Sequence, residues 1–142
     1  MQNLPTKSSA KGNVFTVADF YEAGRASLSL TLVAGGENMS RTIDEPIVNR
    51  PGLALTGFYE HFAWQRLQIF GNAEMAYLES LDDATRHERV KALLGRKAFC
   101  FIFTCGRKPG EKEIAFAVKA GAVILSTPMT TSAFMHHCAF VL

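Results

Sequence analysis

The sequence predicts an α/β protein with a mostly parallel sheet, on three observations. Residues 98–104, AFCFIFT, are continuously apolar and residues 122–127, AVILST, nearly so. Strands without polar alternation are buried on both faces, as in parallel sheets. Between these runs, Ile114, Ala117, Val118 and Gly121 fall at helical core spacing, giving a β-α-β unit of the usual right-handed kind. A further apolar run, Leu67 to Phe70, ends at Gly71, and a helix opens at Asn72.

The remaining elements follow in chain order. Residues 1–13, MQNLPTKSSAKGN, have the composition of a polar tail. A first helix is expected over Val17 to Gly24, capped by Thr16 with Asp19 as the capping-box partner. Leu28, Leu30 and Leu32 alternate with Ser29 and Thr31, the period of a strand with one buried face. Ala34-Gly35-Gly36 is a turn. Ile43 and Ile47 mark a second short strand interrupted by Pro46. Asn49, Arg50, Pro51 and Gly52 form a turn before the apolar run Leu53 to Leu55, and an aromatic block follows with Phe58, Tyr59, Phe62 and Trp64. The helix from Asn72 to about Ser80 takes Asn72 as its cap, with Ala73, Ala76, Tyr77 and Leu81 on one face. The next helix, Asp82 to Leu94, buries Val90, Leu93 and Leu94, and leaves Arg86, His87, Glu88, Arg89 and Lys91 as a solvated face. The last helix begins near Thr130 and carries Phe134, Cys138 and Val141. It reaches the chain end without a cap, which raises the expectation of a following segment.

Bulk properties narrow the function. A chain of 142 residues predicts one domain with a real core. A net charge of +2 is too small to argue for nucleic-acid or membrane binding, and neither partner is expected. There is no apolar leader at the N-terminus and no run of the ~20 residues a membrane span needs. Three cysteines without framework spacing point to a reduced, cytoplasmic protein.

Motifs for catalysis are missing their partners. Cys105 to Lys112, CGRKPGEK, sits where a phosphate loop would, yet Glu111 precedes the lysine and Glu113 stands where Ser or Thr should hold magnesium. It reads as a plain strand-to-helix loop. Cys100, Cys105 and Cys138 read as buried, inert thiols, because their spacing resembles no zinc pattern. His136 and His137 diverge on a helix, and His61 and His87 stand alone. The hydroxyls of Ser126, Thr127, Thr130, Thr131 and Ser132 are placed for capping, although the end of a parallel strand is also where ligands bind. No catalytic residue, metal ligand or cofactor site is assigned to this chain.

One constellation identifies a family. Asn49-Arg50-Pro51-Gly52-Leu53-Ala54-Leu55-Thr56-Gly57-Phe58, then Gln68-Ile69-Phe70-Gly71-Asn72 and Glu74-Met75-Ala76-Tyr77-Leu78, resemble the N-terminal domain of bacterial HPr kinase/phosphorylase. The resemblance continues through Ser126-Thr127-Pro128 to Ser132-Ala133-Phe134 and covers about residues 14–138. It implies a three-layer α/β sandwich similar to Mur ligase N-terminal domains, occupying residues 14–142. It also implies a parent enzyme that phosphorylates a serine of HPr, the phosphocarrier of the sugar phosphotransferase system, and removes that phosphate by phosphorolysis. Those reactions belong to a C-terminal P-loop domain using ATP and magnesium, which this sequence lacks. The implied role here is therefore non-catalytic and regulatory, with a kinase domain as partner in cis or in trans.

Within the constellation, Asn49, Arg50, Gly52, Thr56 and Gly57 are the candidate ligand-binding residues. Arg50 can grip a carboxylate or phosphate with both arms, and Gly57 can let an anion approach backbone N–H groups. The same residues also serve as loop ties and strain relief. Trp64 with its aromatic neighbours reads as core and interface, since no basic patch accompanies it. A free-standing sensor of a phosphosugar or nucleotide, and a structural module that forms homo-oligomers, remain alternative readings.

Overall fold

The structure, a computed structural model, describes residues 14–142. The polar tail expected over residues 1–13 lies outside the described residues. The strands are β1 (Thr31–Ala34), β2 (Val48–Asn49), β3 (Leu67–Phe70), β4 (Cys100–Phe103) and β5 (Val123–Ser126). They form one sheet in the order β1-β5-β4-β3-β2. β2 to β5 run parallel, while β1 pairs antiparallel with β5. The helices are α1 (Val17–Gly24), α2 (Gly52–Leu55), α3 (Asn72–Glu79), α4 (Asp83–Leu94), α5 (Glu111–Lys119) and α6 (Thr131–Cys138).

The continuous apolar runs make the three central strands β3, β4 and β5, each buried along its whole length. Because side chains alternate across a strand, each run serves two cores. Leu67, Ile69, Cys100, Ile102, Val123 and Leu125 join Val17 and Phe20 of α1 and Phe134 and Cys138 of α6. Phe70, Phe101, Phe103 and Ile124 join Leu55 of α2, Met75 and Leu78 of α3, Leu93 of α4 and Ala117 of α5. The result is a three-layer sandwich with helices on both faces of a mostly parallel sheet.

Local signals set the helix starts as expected at three places. Thr16 Oγ1 accepts from Asp19 N at 3.1 Å while Asp19 returns the bond to Thr16 N at 2.9 Å. Asp82 caps α4 through Thr85 N at 2.7 Å, a bond that holds its carboxyl below the usual range. Thr130 caps α6 through Ala133 N at 3.3 Å. Gly35 has φ +86°, and a Cβ there would lie 2.1 Å from Ala122 O, so the turn after β1 admits only glycine.

Four expectations are corrected. The leucine alternation is not one strand: Leu28 and Leu30 are buried in a turn that follows α1, closed by Leu28 N to Gly24 O at 2.7 Å and Leu30 N to Arg25 O at 3.1 Å. The strand begins only at Thr31. Ile43 and Ile47 do not share a strand; Ile43 is buried beside α1 with its N bonded to Phe15 O at 2.8 Å, Ile47 is exposed, and β2 comprises Val48 and Asn49 alone. Gly71, not Asn72, is the N-cap of α3, and the helix buries Glu74, Met75 and Leu78 instead of the face through Ala73 and Ala76. On α4, Arg86 and His87 are not simply solvated. Arg86 Nε lies 3.3 Å and His87 Nε2 3.2 Å from Glu113 Oε2 of α5, tying the two helices together.

Candidate ligand site at the C-terminal edge of the sheet

Four parallel strands end on one side of the molecule, the side on which open α/β sheets bind ligands. The chain leaves β3 at Gly71, β4 at Thr104 and β5 at Thr127, and β2 delivers Asn49 and Arg50. Gly71 is the hub. A Cβ on it would lie 2.3 Å from Thr131 Oγ1, 3.1 Å from Arg50 Nη2 and 3.3 Å from Thr104 Oγ1. Only a residue without a side chain lets these three groups converge.

Arg50 makes a two-armed contact with Glu74, Nε to Oε2 at 3.1 Å and Nη2 to Oε1 at 2.8 Å. The same Oε1 accepts Gly71 N at 2.9 Å, so one carboxylate both caps α3 and holds the guanidinium. Glu74 is 5% exposed and Arg50 39% exposed, so the pair has a buried acid and an open base. This explains the corrected face of α3: the acid is drawn inward by two charge-assisted partners, and Met75 and Leu78 follow it.

Beside this pair, Thr104 Oγ1 and Thr131 Oγ1 are 2.6 Å apart, and Cys105 Sγ is 3.7 Å from Thr131 Oγ1. Cys105 and Gly106 both have positive φ, +61° and +71°, and their N–H groups bond to Met129 O at 2.7 Å and Thr127 O at 3.0 Å. Partial burial raises the Cys105 thiol pKa, but hydrogen bonds from the Thr131 and Thr104 hydroxyls and the Thr131 and Asn72 amides outweigh it, leaving the thiol below its ordinary value. The expectation of inert thiols thus fits Cys100 and Cys138, whose pKa values burial raises, but not Cys105. Arg107 flanks the edge, bonding Asn72 Oδ1 at 3.1 Å and Glu79 Oε2 at 2.7 Å.

The residues singled out in the sequence occupy different parts of this region. Asn49 Nδ2 donates to Gln68 Oε1 at 2.8 Å, and Gln68, itself buried, donates to Ala63 O and Arg66 O. Gly52 opens α2 with open space where a Cβ would go. Thr56 Oγ1 donates to Leu53 O at 2.6 Å. Gly57 has φ +99°, and Arg89 Nη1 lies 3.6 Å from where its Cβ would be. Arg89 also donates to Leu55 O and Tyr77 Oη, both at 3.3 Å, so the end of α2 just before Thr56 and Gly57 is tied to α4 while Asn49 and Arg50 belong to the strand ends. Sequence reasoning missed Gly71, Glu74, Thr104, Cys105 and Thr131 as a group. The available signal was position, since each stands just after a buried run or at the start of the helix that follows. Chemically, the edge offers a guanidinium and two facing hydroxyls, beside a lowered thiol and the starts of α3 and α6, a set suited to holding an anionic group.

Among the described residues no helix is long and apolar enough to cross a membrane. The fold is similar to part of the solved CBS and DRTGG domains of the regulatory region of Clostridium perfringens pyrophosphatase, complexed with the activator diadenosine tetraphosphate. The TM-score is 0.57 at 16% identity, over 90% of this chain and 47% of that one. Relatives named HPr kinase/phosphorylase include one from Caldicellulosiruptor bescii, 39% identical over 106 residues. Another, from Geobacter sulfurreducens, is 34% identical over 119 residues. These alignments take in 75% and 84% of the chain but only 33% and 37% of the relatives, so the chain spans about a third of their length. The family model described as HPr Serine kinase N terminus matches residues 15–142. The chain therefore belongs to the HPr serine kinase N-terminal family.

Proposed function

We propose that this chain is a non-catalytic regulatory domain of an HPr kinase/phosphorylase that senses a small anionic effector at the C-terminal edge of its sheet. The observation that carries the reading is the Arg50–Glu74 pair at Gly71, a partly open guanidinium held by a buried carboxylate beside two helix N-termini. A phosphate or carboxylate arriving at the edge competes with Glu74 for Arg50, and the Thr104 and Thr131 hydroxyls supply further donors. Asn49 fixes the end of β2, and Gly52, Thr56 and Gly57 shape the short helix that follows Arg50. The regulatory setting of the pyrophosphatase domains with the same fold supports the same reading.

In this proposal the protein works in the cytoplasm, without a cofactor of its own. The phosphorylation and dephosphorylation of HPr, with ATP and magnesium, belong to a kinase domain acting in cis or in trans. The test is thermal unfolding against a panel of sugar phosphates and nucleotides. A ligand at a hundredfold excess over Kd stabilises by about 2.7 kcal/mol, and Arg50→Ala removes the shift. A panel without any shift, or a shift unchanged in Arg50→Ala, overturns the effector site. Turnover of HPr by this chain alone overturns the non-catalytic assignment.

A second reading, a module for assembly, is favoured by one observation. Leu53 and Phe58 are 69% and 51% exposed and adjoin each other, with Phe58 N bonded to Leu53 O at 3.3 Å. Concentration-dependent mass in light scattering that Phe58→Ser abolishes supports it; a monomer at all concentrations refutes it.

A further inference from the structure

A second space lies between the sheet and the helices α3, α4 and α5, reaching the last residues of β3 and β4, Phe70 and Phe103, on the helix-covered face. It is a cavity of about 220 Å³ whose walls include Phe70, Leu78, Leu93, Phe103, Ala117 and Ile124. An apolar cavity of about 150 Å³ is enough to admit a benzene ring. The walls here are buried aliphatic and aromatic side chains, which favour a ligand with an apolar body.

The mouth supplies the polar selection. Its charged groups are Glu79, Arg86, Lys108 and Glu113. Three of them are already committed. Glu79 receives Arg107 at 2.7 Å. Arg86 is held by Asp83 at 2.5 Å, by Glu113 at 3.3 Å and by Leu81 O at 3.2 Å. Glu113 is shared between Arg86 and His87, and its carboxylate is folded over Gly110, where a Cβ would come within 2.5 Å of Oε1. Lys108 is exposed and has no carboxylate partner among the described residues. Lys108 is therefore the one charged group at the mouth without an ion-pair partner among the described residues.

We propose that this cavity is a binding site for a small aromatic or branched aliphatic compound carrying one anionic group, with the apolar body between the sheet and α3–α5 and the anion on Lys108. The site is separate from the effector site at Gly71 and does not depend on it. Its walls belong to α3, α4 and α5 together, so a bound body holds the three helices in one arrangement.

The test uses 3-phenylpropionate, and its neutral amide as a control, in a methyl NMR titration of the full chain. The expected result is saturable shifts of Leu78, Leu93 and Ile124 methyls. Lys108→Met, a surface change, should weaken binding of the acid about two- to fivefold, the size of a single exposed ion contact, and leave the amide unaffected. Ala117→Leu, which fills the space, should abolish the shifts while the Tm stays level or rises. The proposal is overturned if the methyls do not move at millimolar acid. It is equally overturned if the acid perturbs Gly71 and Thr104 instead of the cavity, or if Lys108→Met weakens acid and amide alike.

Discussion

Towards α1 and α6 the sheet presents Leu67, Ile69, Cys100, Ile102, Val123 and Leu125, and the helices answer with Val17, Phe20, Phe134 and Cys138. Towards α2–α5 it presents Gln68, Phe70, Phe101, Phe103 and Ile124, and there the buried set also includes Glu74 and the layer encloses a cavity. The first side is closed by apolar packing around two large fully buried rings, Phe20 and Phe134. The second is closed partly by ion pairs and hydrogen bonds: Arg50 to Glu74, Arg86 and His87 to Glu113, Arg89 to Leu55 O and Tyr77 Oη. Apolar packing has one best arrangement, whereas charged contacts can exchange partners when a ligand brings a charge of its own. The difference assigns folding stability mainly to one face and responsiveness to the other.

Mutations can break this contrast. Phe134→Ala should have the largest effect, about 3–5 kcal/mol in urea unfolding, because it opens a cavity where a fully buried ring stood. A loss below 1 kcal/mol would mean that the two faces are equally yielding. Glu74→Ala should cost less, about 2–3 kcal/mol after discounting the partly exposed Arg50. It removes the Gly71 N–H partner as well as the guanidinium partner, so hydrogen exchange at Gly71 should rise with it. Unchanged exchange there would dismiss the double role of the carboxylate.

The thiols sharpen the contrast chemically. Burial pushes the Cys138 pKa up to about 12 and raises that of Cys100 as well, while Cys105 at the strand ends is lowered. At neutral pH, iodoacetamide should modify Cys105 first, as peptide mapping would read. For Cys138, the folded-state pKa lies above the unfolded value of ~8.5, so folding favours the neutral thiol. That contribution is complete below the unfolded value and is lost as pH rises towards about 12. Urea midpoints should therefore fall above pH 9, less steeply in Cys138→Ala. The smallest effect is expected at Tyr59, whose buried hydroxyl has no hydrogen-bond partner among the described residues and whose pKa is raised by burial. Tyr59→Phe should be neutral or stabilise by up to ~1 kcal/mol; a clear loss would reveal a partner for the hydroxyl.

Most of the scaffold was readable because its signals are local. The runs ending at Phe70, Phe103 and Ser126 could only be buried strands, and Thr16, Asp82 and Thr130 announced three helices through the side chains that cap them. The errors arose where tertiary contacts overrule local pattern. Leu28 and Leu30 have strand spacing, but a turn buries them against α1 and β5 residues of the same core. Glu74 belongs by polarity on the surface of α3, and only the arrival of Arg50 from 24 positions earlier makes it a buried residue. The family motif was legible as a string containing Asn49, Arg50 and Gly71, yet their roles were not. Convergence on Gly71 depends on strand order and on how α6 returns to β4, neither of which is written in local spacing.

The brevity of β2 has a consequence for how such domains live inside larger proteins. With two residues, Val48 and Asn49, it ends the sheet on a margin that offers a newcomer very few free backbone groups. A long margin would invite another chain to add a strand, the route to runaway aggregation. Stopping the sheet so abruptly at this edge leaves side chains, more than free backbone groups, to face whatever lies beside β2.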